Sequence, residues 1–163
     1  MNTPAVRSIC DLCDDFPDEV QAAEPILRSF GGVDAFRGPV VTVHCYEDNA
    51  IAADVLTEPG AGKVLVIDGG GSLTRALVGG KLGARAVANG WAGIVVHGAV
   101  RDVEELQPLP LGVLAVGVSP MRPSKSGAGR RDAPLRFAGI SIKPGQWVYA
   151  DRNGLIVCDR EIH

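Results

Sequence analysis

Two short apolar runs, residues 63–67 (KVLVI) and 93–96 (GIVV), constrain the fold of this chain more than any other feature. Neither run has a polar face, so each suits a strand covered on both sides, as in a parallel sheet. Between them, residues 81–89 are helical in composition, and Asn89-Gly90 supplies a stop. Strand, helix and strand in that order make a β-α-β crossover, expected to be right-handed. Each run also ends in glycine, with Asp68-Gly69-Gly70-Gly71 after the first and a glycine turn at Gly98 after the second. The charged turn Arg101-Asp102 then falls at the carboxyl end of its strand, where open α/β sheets bind ligands.

The flanks extend this pattern into a single α/β domain over residues 1–163. Residues 3–15 read as an amphipathic helix, with Thr3-Pro4 as cap and first turn and with Val6, Ile9, Cys10 and Cys13 on one face. Residues 24–30 are ambiguous between helix and strand, and Gly31-Gly32 breaks them. Residues 39–45 alternate and are rich in valine, which predicts a strand, and residues 47–56 have helical composition ended by Glu58-Pro59-Gly60. Residues 111–118 are apolar again. Residues 120–132 hold Arg122, Lys125, Arg130 and Arg131 among proline, glycine and serine, which predicts an exposed basic loop that contacts solvent, an anion or another subunit. Residues 135–142, 147–150 and 155–158 then read as three strands of a β-meander.

Composition narrows the function. The net charge is −3 and the pI about 5.6, without the basic excess of nucleic-acid binders, so no direct nucleic-acid partner is expected. No apolar run reaches eighteen residues and no secretion signal is visible, so the expectation is a cytoplasmic protein with no membrane contact. Cys10 and Cys13 form a C-x-x-C, but Cys45 and Cys158 stand alone, so a four-ligand zinc site lacks its second pair. Buried or half-buried structural thiols are the expectation. The triple glycine at 69–71 fits no phosphate-loop motif and reads as a tight turn. His44, alone on its strand, reads as a surface or hydrogen-bonded residue.

The chemistry concentrates between residues 79 and 105. Gly79 and Gly80 open the predicted helix, leaving amides at its positive end that can bind a carboxylate. Arg101, Asp102, Glu104 and Glu105 at a strand's end are what a carboxylate-bound metal site can use. The bland alternative for Arg101-Asp102 is a surface ion pair worth little.

FGGVDAFRGPVVTVHCYEDNA, KVLVIDGGGSLTRALVGG, GWAGIVVHGAVRD and PGQWVYADRNGLIV occur here in that order and cover most of the chain. In these stretches the chain resembles the RraA-like family, which includes regulators of ribonuclease activity and class II 4-hydroxy-4-methyl-2-oxoglutarate aldolases. The resemblance implies a compact α/β fold with a swivelling β/β/α core, and a homotrimer with sites between subunits. It also implies that Asp102 holds a divalent cation, Mg²⁺ or Mn²⁺, with Glu105 reaching it through water. Arg101 and the amides of Gly79, Gly80, Lys81 and Leu82 would then bind a small 2-oxo acid. The implied activity is cleavage of the C3–C4 bond through a pyruvate enolate, by aldol cleavage or oxaloacetate decarboxylation.

One position departs from the family pattern. Many of its enzymes carry Asp or Glu after the loop's first glycine, where this chain has Gly80. Retro-aldol cleavage must remove a hydroxyl proton and decarboxylation need not, so the departure favours the decarboxylase. The resemblance also implies a rival role, a protein that binds and inhibits RNase E. FGG, CYEDN and DGGGSLTRAL look closer to that subgroup, whereas the Arg101-Asp102 pair looks closer to the enzymes.

Overall fold

In the computed structural model, which describes residues 7–163, the chain opens with helix α1 (Ile9–Asp15) and two brief strands, β1 (Val20–Ala22) and β2 (Arg28–Ser29). Strand β3 (Phe36–His44), helix α2 (Ala50–Val55) and strand β4 (Val64–Asp68) follow. Next come β5 (Ala76–Val78), α3 (Gly80–Ala88), β6 (Gly93–Val100), the single turn α4 (Val103–Leu106) and β7 (Gly112–Val118). The chain closes with β8 (Arg130–Arg131), β9 (Leu135–Phe137), β10 (Ile140–Ile142), β11 (Trp147–Asp151) and β12 (Gly154–Cys158).

Strand β3 divides its length between two sheets. Its first half, Phe36 to Pro39, pairs antiparallel with β11, and Val40 to His44 pairs parallel with β4. From β4 the parallel sheet continues through β6 to β7, and β2 closes that edge antiparallel. On the other side β12 and β1 follow β11. The two sheets and the β9–β10 hairpin enclose a core in which Val40, Val64, Val66 and Val95 meet Val148 and Val157 of the antiparallel sheet and Phe137 and Ile142 of the hairpin. The opposite face of the parallel sheet presents Val41, Val43, Leu65, Ile67, Ile94 and Val96 to Val55, Leu82, Ala86 and Leu106 of the helices. This sheet, sheet and helix layering is why KVLVI has no polar alternation: Val64 through Ile67 are all fully buried. Each such side chain contributes roughly 1.5–3 kcal/mol by leaving water.

Several expectations change at their edges. Helix α1 begins at Ile9 and is capped by Ser8, whose hydroxyl accepts from the amide of Cys10. The expected start at Thr3, Pro4 and Val6 lies outside the described residues. The strand expected over 93–97 does not turn at Gly98 but runs on to Val100, with a register shift between Val96 and Ala99. Glycine within a strand commonly marks such an irregularity. The extension pairs with β5, which composition did not predict.

Residues 135–142 are not one strand. They fold into a separate hairpin of β9 and β10, turned at Ala138 (φ 51°) and Gly139 (φ 74°). Two successive residues at positive φ fit a tight hairpin turn, and alanine in the first hid the signal. The expected three-strand meander is therefore two hairpins, β9–β10 and β11–β12. Residues 24–30 contribute β2, and the basic loop carries β8, which pairs with Val43 and His44 of β3. No helix among the described residues is long and apolar enough to cross a membrane.

Candidate functional site

The carboxyl ends of β5 and β6 lie side by side, because Val78 is in register with Val100. Gly79 and Arg101 are the residues that follow, and the amide of Arg101 donates to the carbonyl of Val78 at 2.9 Å. Asp102 then adopts the left-handed conformation, φ 55° and ψ 47°. Aspartate tolerates that region better than most side chains, though still at some cost in strain. The turn starts α4, and it sends the carboxylate back towards α3. There Asp102 Oδ2 accepts from the amide of Gly80 at 3.0 Å.

The N-terminus of α3 is therefore partly occupied by the chain itself. The amide of Gly80, expected to be open for a substrate carboxylate, is bonded to Asp102. Lys81 and Leu82 lie in the first turn, where amides lack helical partners, and theirs donate to no group among the described residues. The pair Arg101 Nε and Asp102 Oδ2 is loose, at 3.9 Å and with both side chains more than a third exposed. It contributes little to stability. Arg101 Nη1 instead donates to the carbonyl of Pro120 at 3.3 Å.

Gly80 is buried, and the space beside it is filled from α4. A Cβ at position 80 would coincide with a carboxylate oxygen of Glu105 and stand 2.9 Å from the Glu105 Cβ. A Cβ at position 79 would stand 2.7 Å from Asp102 Oδ2. The absence of side chains at both glycines thus lets two carboxylates, Asp102 and Glu105, lie against adjacent residues at the positive end of α3. Glu104 in the same turn is exposed and makes no hydrogen bond among the described residues.

This donor set fits a hard divalent cation. No three His, Cys, Asp or Glu side chains form a closed cage among the described residues. Mg²⁺ does not need one, since it retains several waters and is held by one or two carboxylates together with substrate oxygens. Asp102 Oδ1 has no partner among the described residues, and Glu105 is exposed beside it. The site is an open ledge. Two concavities lie elsewhere, one between α1 and β11 and one lined by Ser29, Phe30, Asp34, Val103, Glu104 and Gln107.

Two groups near this end of the sheet carry interactions that the sequence did not signal. Asp68, 7% exposed at the end of β4, accepts from His97 Nδ1 at 2.9 Å and from the amide of Gly70 at 2.9 Å. Burial alone would raise the Asp68 carboxyl, but the His97 and Gly70 hydrogen bonds outweigh it and hold the group below its ordinary range. The His97 ring stacks on Phe137 at 4.8 Å, and its carbonyl accepts from the amides of Gly69 and Gly71. The triple glycine is thus the tight turn expected of it. Asp48, 2% exposed, accepts from the amide and hydroxyl of Ser126 and from the amides of Ala50 and Gly127. It fixes the basic loop, which is further held by an Arg131–Glu58 ion pair.

His44 is exposed, as expected. All four cysteines are free. Cys45 and Cys158 are buried and Cys13 is half-buried, but Cys10 is exposed, because α1 packs through Ile9 and Leu12 and turns Cys10 outward. Burial, with Asp48 and Asp68 nearby, pushes the Cys45 thiol up to about 12.

Comparison with known proteins agrees on the family and divides on the activity. The family model RraA-like: Aldolase/RraA matches residues 8–157. A protein of Xanthomonas campestris pv. campestris, provisionally named a 4-hydroxy-4-methyl-2-oxoglutarate aldolase, is 54% identical over 147 residues, covering 90% of this chain and 88% of its own. The structure of the RNA-processing inhibitor RraA from Thermus thermophilis superposes with a TM-score of 0.94 at 45% identity, over 97% of this chain and 96% of that one. A Geobacillus kaustophilus structure described as an S-adenosylmethionine:2-dimethylmenaquinone methyltransferase superposes with a TM-score of 0.92 at 41% identity, over 96% and 97%.

Proposed function

The chain belongs to the RraA-like family, and from that membership we propose that it is a divalent-metal-dependent lyase that cleaves the C3–C4 bond of 2-oxo acids. The observation that carries the proposal is the convergence of Arg101, Asp102 and Glu105 on Gly79 and Gly80 at the positive end of α3. The substrate is a small 2-oxo acid, either oxaloacetate or 4-hydroxy-4-methyl-2-oxoglutarate, the compound named for the Xanthomonas relative.

In this reading the substrate carboxylate lies on the amides of Lys81 and Leu82, where the helix dipole favours an anion. The guanidinium of Arg101 faces the 2-oxo oxygen and stabilises the negative charge that gathers there as the bond breaks. Mg²⁺ or Mn²⁺ held by Asp102, with Glu105 beside it, would add positive charge at the same oxygen. Asp102 also orients the Gly80 amide, so losing it disturbs both the cation site and the helix terminus. Decarboxylation needs no base to begin. Retro-aldol cleavage transfers the C4 hydroxyl proton to a base while the C3–C4 electrons move onto the enolate, which then takes a proton at C3. Glu105 fills the space a side chain at position 80 would take, so α4 supplies the acid that α3 lacks.

The open ledge supports assembly as a homotrimer, with a neighbouring subunit completing the site. Exposed Tyr46, Leu73, Val118 and Met121 supply apolar surface for that contact. The Thermus similarity favours a second role, binding to RNase E or a related endonuclease, and the two roles are compatible. The deciding experiment is pyruvate release from oxaloacetate by metal-stripped protein, with and without Mg²⁺, beside Asp102→Ala. Free Mg²⁺ decarboxylates oxaloacetate slowly, so the variant is the control. Turnover that requires metal and is lost in the variant is expected; turnover no faster than free Mg²⁺ would sink the lyase.

A further inference from the structure

Arg75 precedes β5 and Arg101 follows β6, and one short segment joins their side chains. This segment, residues 119–122, leaves β7 and crosses the ends of both strands. The Ser119 amide donates to the carbonyl of Val100 at 3.0 Å, and its hydroxyl donates to the carbonyl of Thr74 at 3.0 Å. The carbonyl of Met121 accepts from the Ala76 amide at 2.9 Å. The carbonyls on either side each take a guanidinium. Pro120 accepts from Arg101 Nη1 at 3.3 Å, and Arg122 accepts from Arg75 Nη1 at 2.8 Å.

Two carbonyls two residues apart are separated by at most about 7 Å of extended chain. Both guanidinium groups are therefore anchored on one three-residue stretch, each with donors to spare. Neither is neutralised. Arg101 has only its loose contact with Asp102, and Arg75, half-buried, pairs with no carboxylate among the described residues. The segment beneath them is fixed further along, where buried Asp48 grips Ser126 and the Asn49 amide donates to the carbonyl of Ser124. Like charges held side by side on a fixed support repel, and a ligand with two negative groups relieves that repulsion.

We propose that Arg75 is a specificity-determining residue: it binds the distal carboxylate of a four- or five-carbon 2-oxo dicarboxylate whose 2-oxo end lies at Arg101. The chain then selects 2-oxo dicarboxylates over 2-oxo monocarboxylates of the same length. This rests on the role given to Arg101 above, and not on turnover.

The test is calorimetric binding, in Mg²⁺, of 2-oxoglutarate and 2-oxovalerate. These share a five-carbon skeleton and differ by the terminal carboxylate. The unmodified protein should bind 2-oxoglutarate at least tenfold more tightly. Arg75→Met should bring the ratio close to one by weakening 2-oxoglutarate alone, and Arg75→Lys should restore part of it. An unchanged ratio in Arg75→Met overturns the proposal. So does an equal loss for both ligands, which would make Arg75 only an anchor for the segment. Binding of neither ligand by the unmodified protein removes the lyase site and this inference together. Oxaloacetate turnover with an unchanged ratio removes the inference alone.

Discussion

Replacing Asp48 with asparagine should release the 120–131 segment without unfolding the molecule. Asp48 Oδ2 accepts from the Ser126 amide at 2.7 Å and hydroxyl at 2.6 Å, and Oδ1 accepts from the amides of Ala50 at 3.1 Å and Gly127 at 3.3 Å. Asparagine keeps one acceptor oxygen and turns an NH₂ towards the other pair of donors. Two hydrogen bonds to a charged group are lost, and their donors face a donor. At roughly 1.5–3 kcal/mol for each such bond, with part recovered by water once the segment lifts, the expected cost is about 2–3 kcal/mol. Every 1.4 kcal/mol is about tenfold in population, so the lifted state should rise roughly thirty- to hundredfold.

Limited trypsin digestion reads this directly, because cleavage of a transiently open segment follows its open population. Cutting after Lys125 and Arg130 should accelerate by that factor, whereas Arg122 is followed by Pro123 and resists. The effect should also depend on pH. Burial alone would raise the Asp48 carboxyl, but the Ser126 hydroxyl and the Ala50, Ser126 and Gly127 amides hold it below its ordinary range. A carboxylate with a depressed folded pKa stabilises above its unfolded value, about 3.9, and loses that contribution as pH falls through the folded value. The difference between variant and unmodified protein should therefore be full at pH 7 and shrink below about pH 4. Digestion rates within threefold of each other at pH 7 would show that Asp48 does not hold the segment down.

Three further outcomes are expected. Gly80→Ala should drive the Glu105 carboxylate off the α3 terminus and push α4 outward, because no rotamer relieves the 2.9 Å contact with the Glu105 Cβ: overpacking costs about 1–3 kcal/mol against a helix-propensity gain of at most about 1 kcal/mol, and melting should fall by several degrees. In the same variant 4-hydroxy-4-methyl-2-oxoglutarate cleavage should fall at least tenfold further than oxaloacetate decarboxylation, and an equal fall would remove the base role from Glu105. Gly93→Ala puts a Cβ 2.5 Å from the Phe36 ring and 3.1 Å from the Gly112 carbonyl. Urea unfolding should show a loss of about 1–3 kcal/mol from this overpacking. With a thiol reagent such as dithionitrobenzoate at pH 8, Cys10 should react first and Cys13 more slowly, while Cys45 and Cys158 should react only after denaturation, since both sulfurs are buried away from the reagent.

The parallel core was legible because the sequence states it without ambiguity. KVLVI and GIVV have no polar side to expose, so two-faced burial is the one arrangement that removes both faces from water. The charged turn at Arg101-Asp102 was legible for a related reason: it follows a buried strand directly and must emerge at the carboxyl end of the sheet. Gly79 and Gly80 were visible as a helix start. Local pattern failed where a residue type contradicted its conformation. Ala138 at positive φ hid the turn between β9 and β10, and Gly98 suggested a turn inside what is a continuing strand.

Which groups meet depends on how the elements pack. Spacing placed Glu105 near Asp102 but could not show its carboxylate in the space left open at Gly80, a contact between two helices. Nor could it show that Asp102 takes the Gly80 amide. Asp48 and Ser126 are 78 residues apart, and Arg75 and Arg122 are 47 apart. Such pairs leave no periodicity in the chain. Hydrophobic alternation records which side of an element is buried, a property each residue carries alone, and so it is written in the sequence. Hydrogen-bond partnership is a property of two residues at once, and it exists only when the sheet has brought its strand ends together.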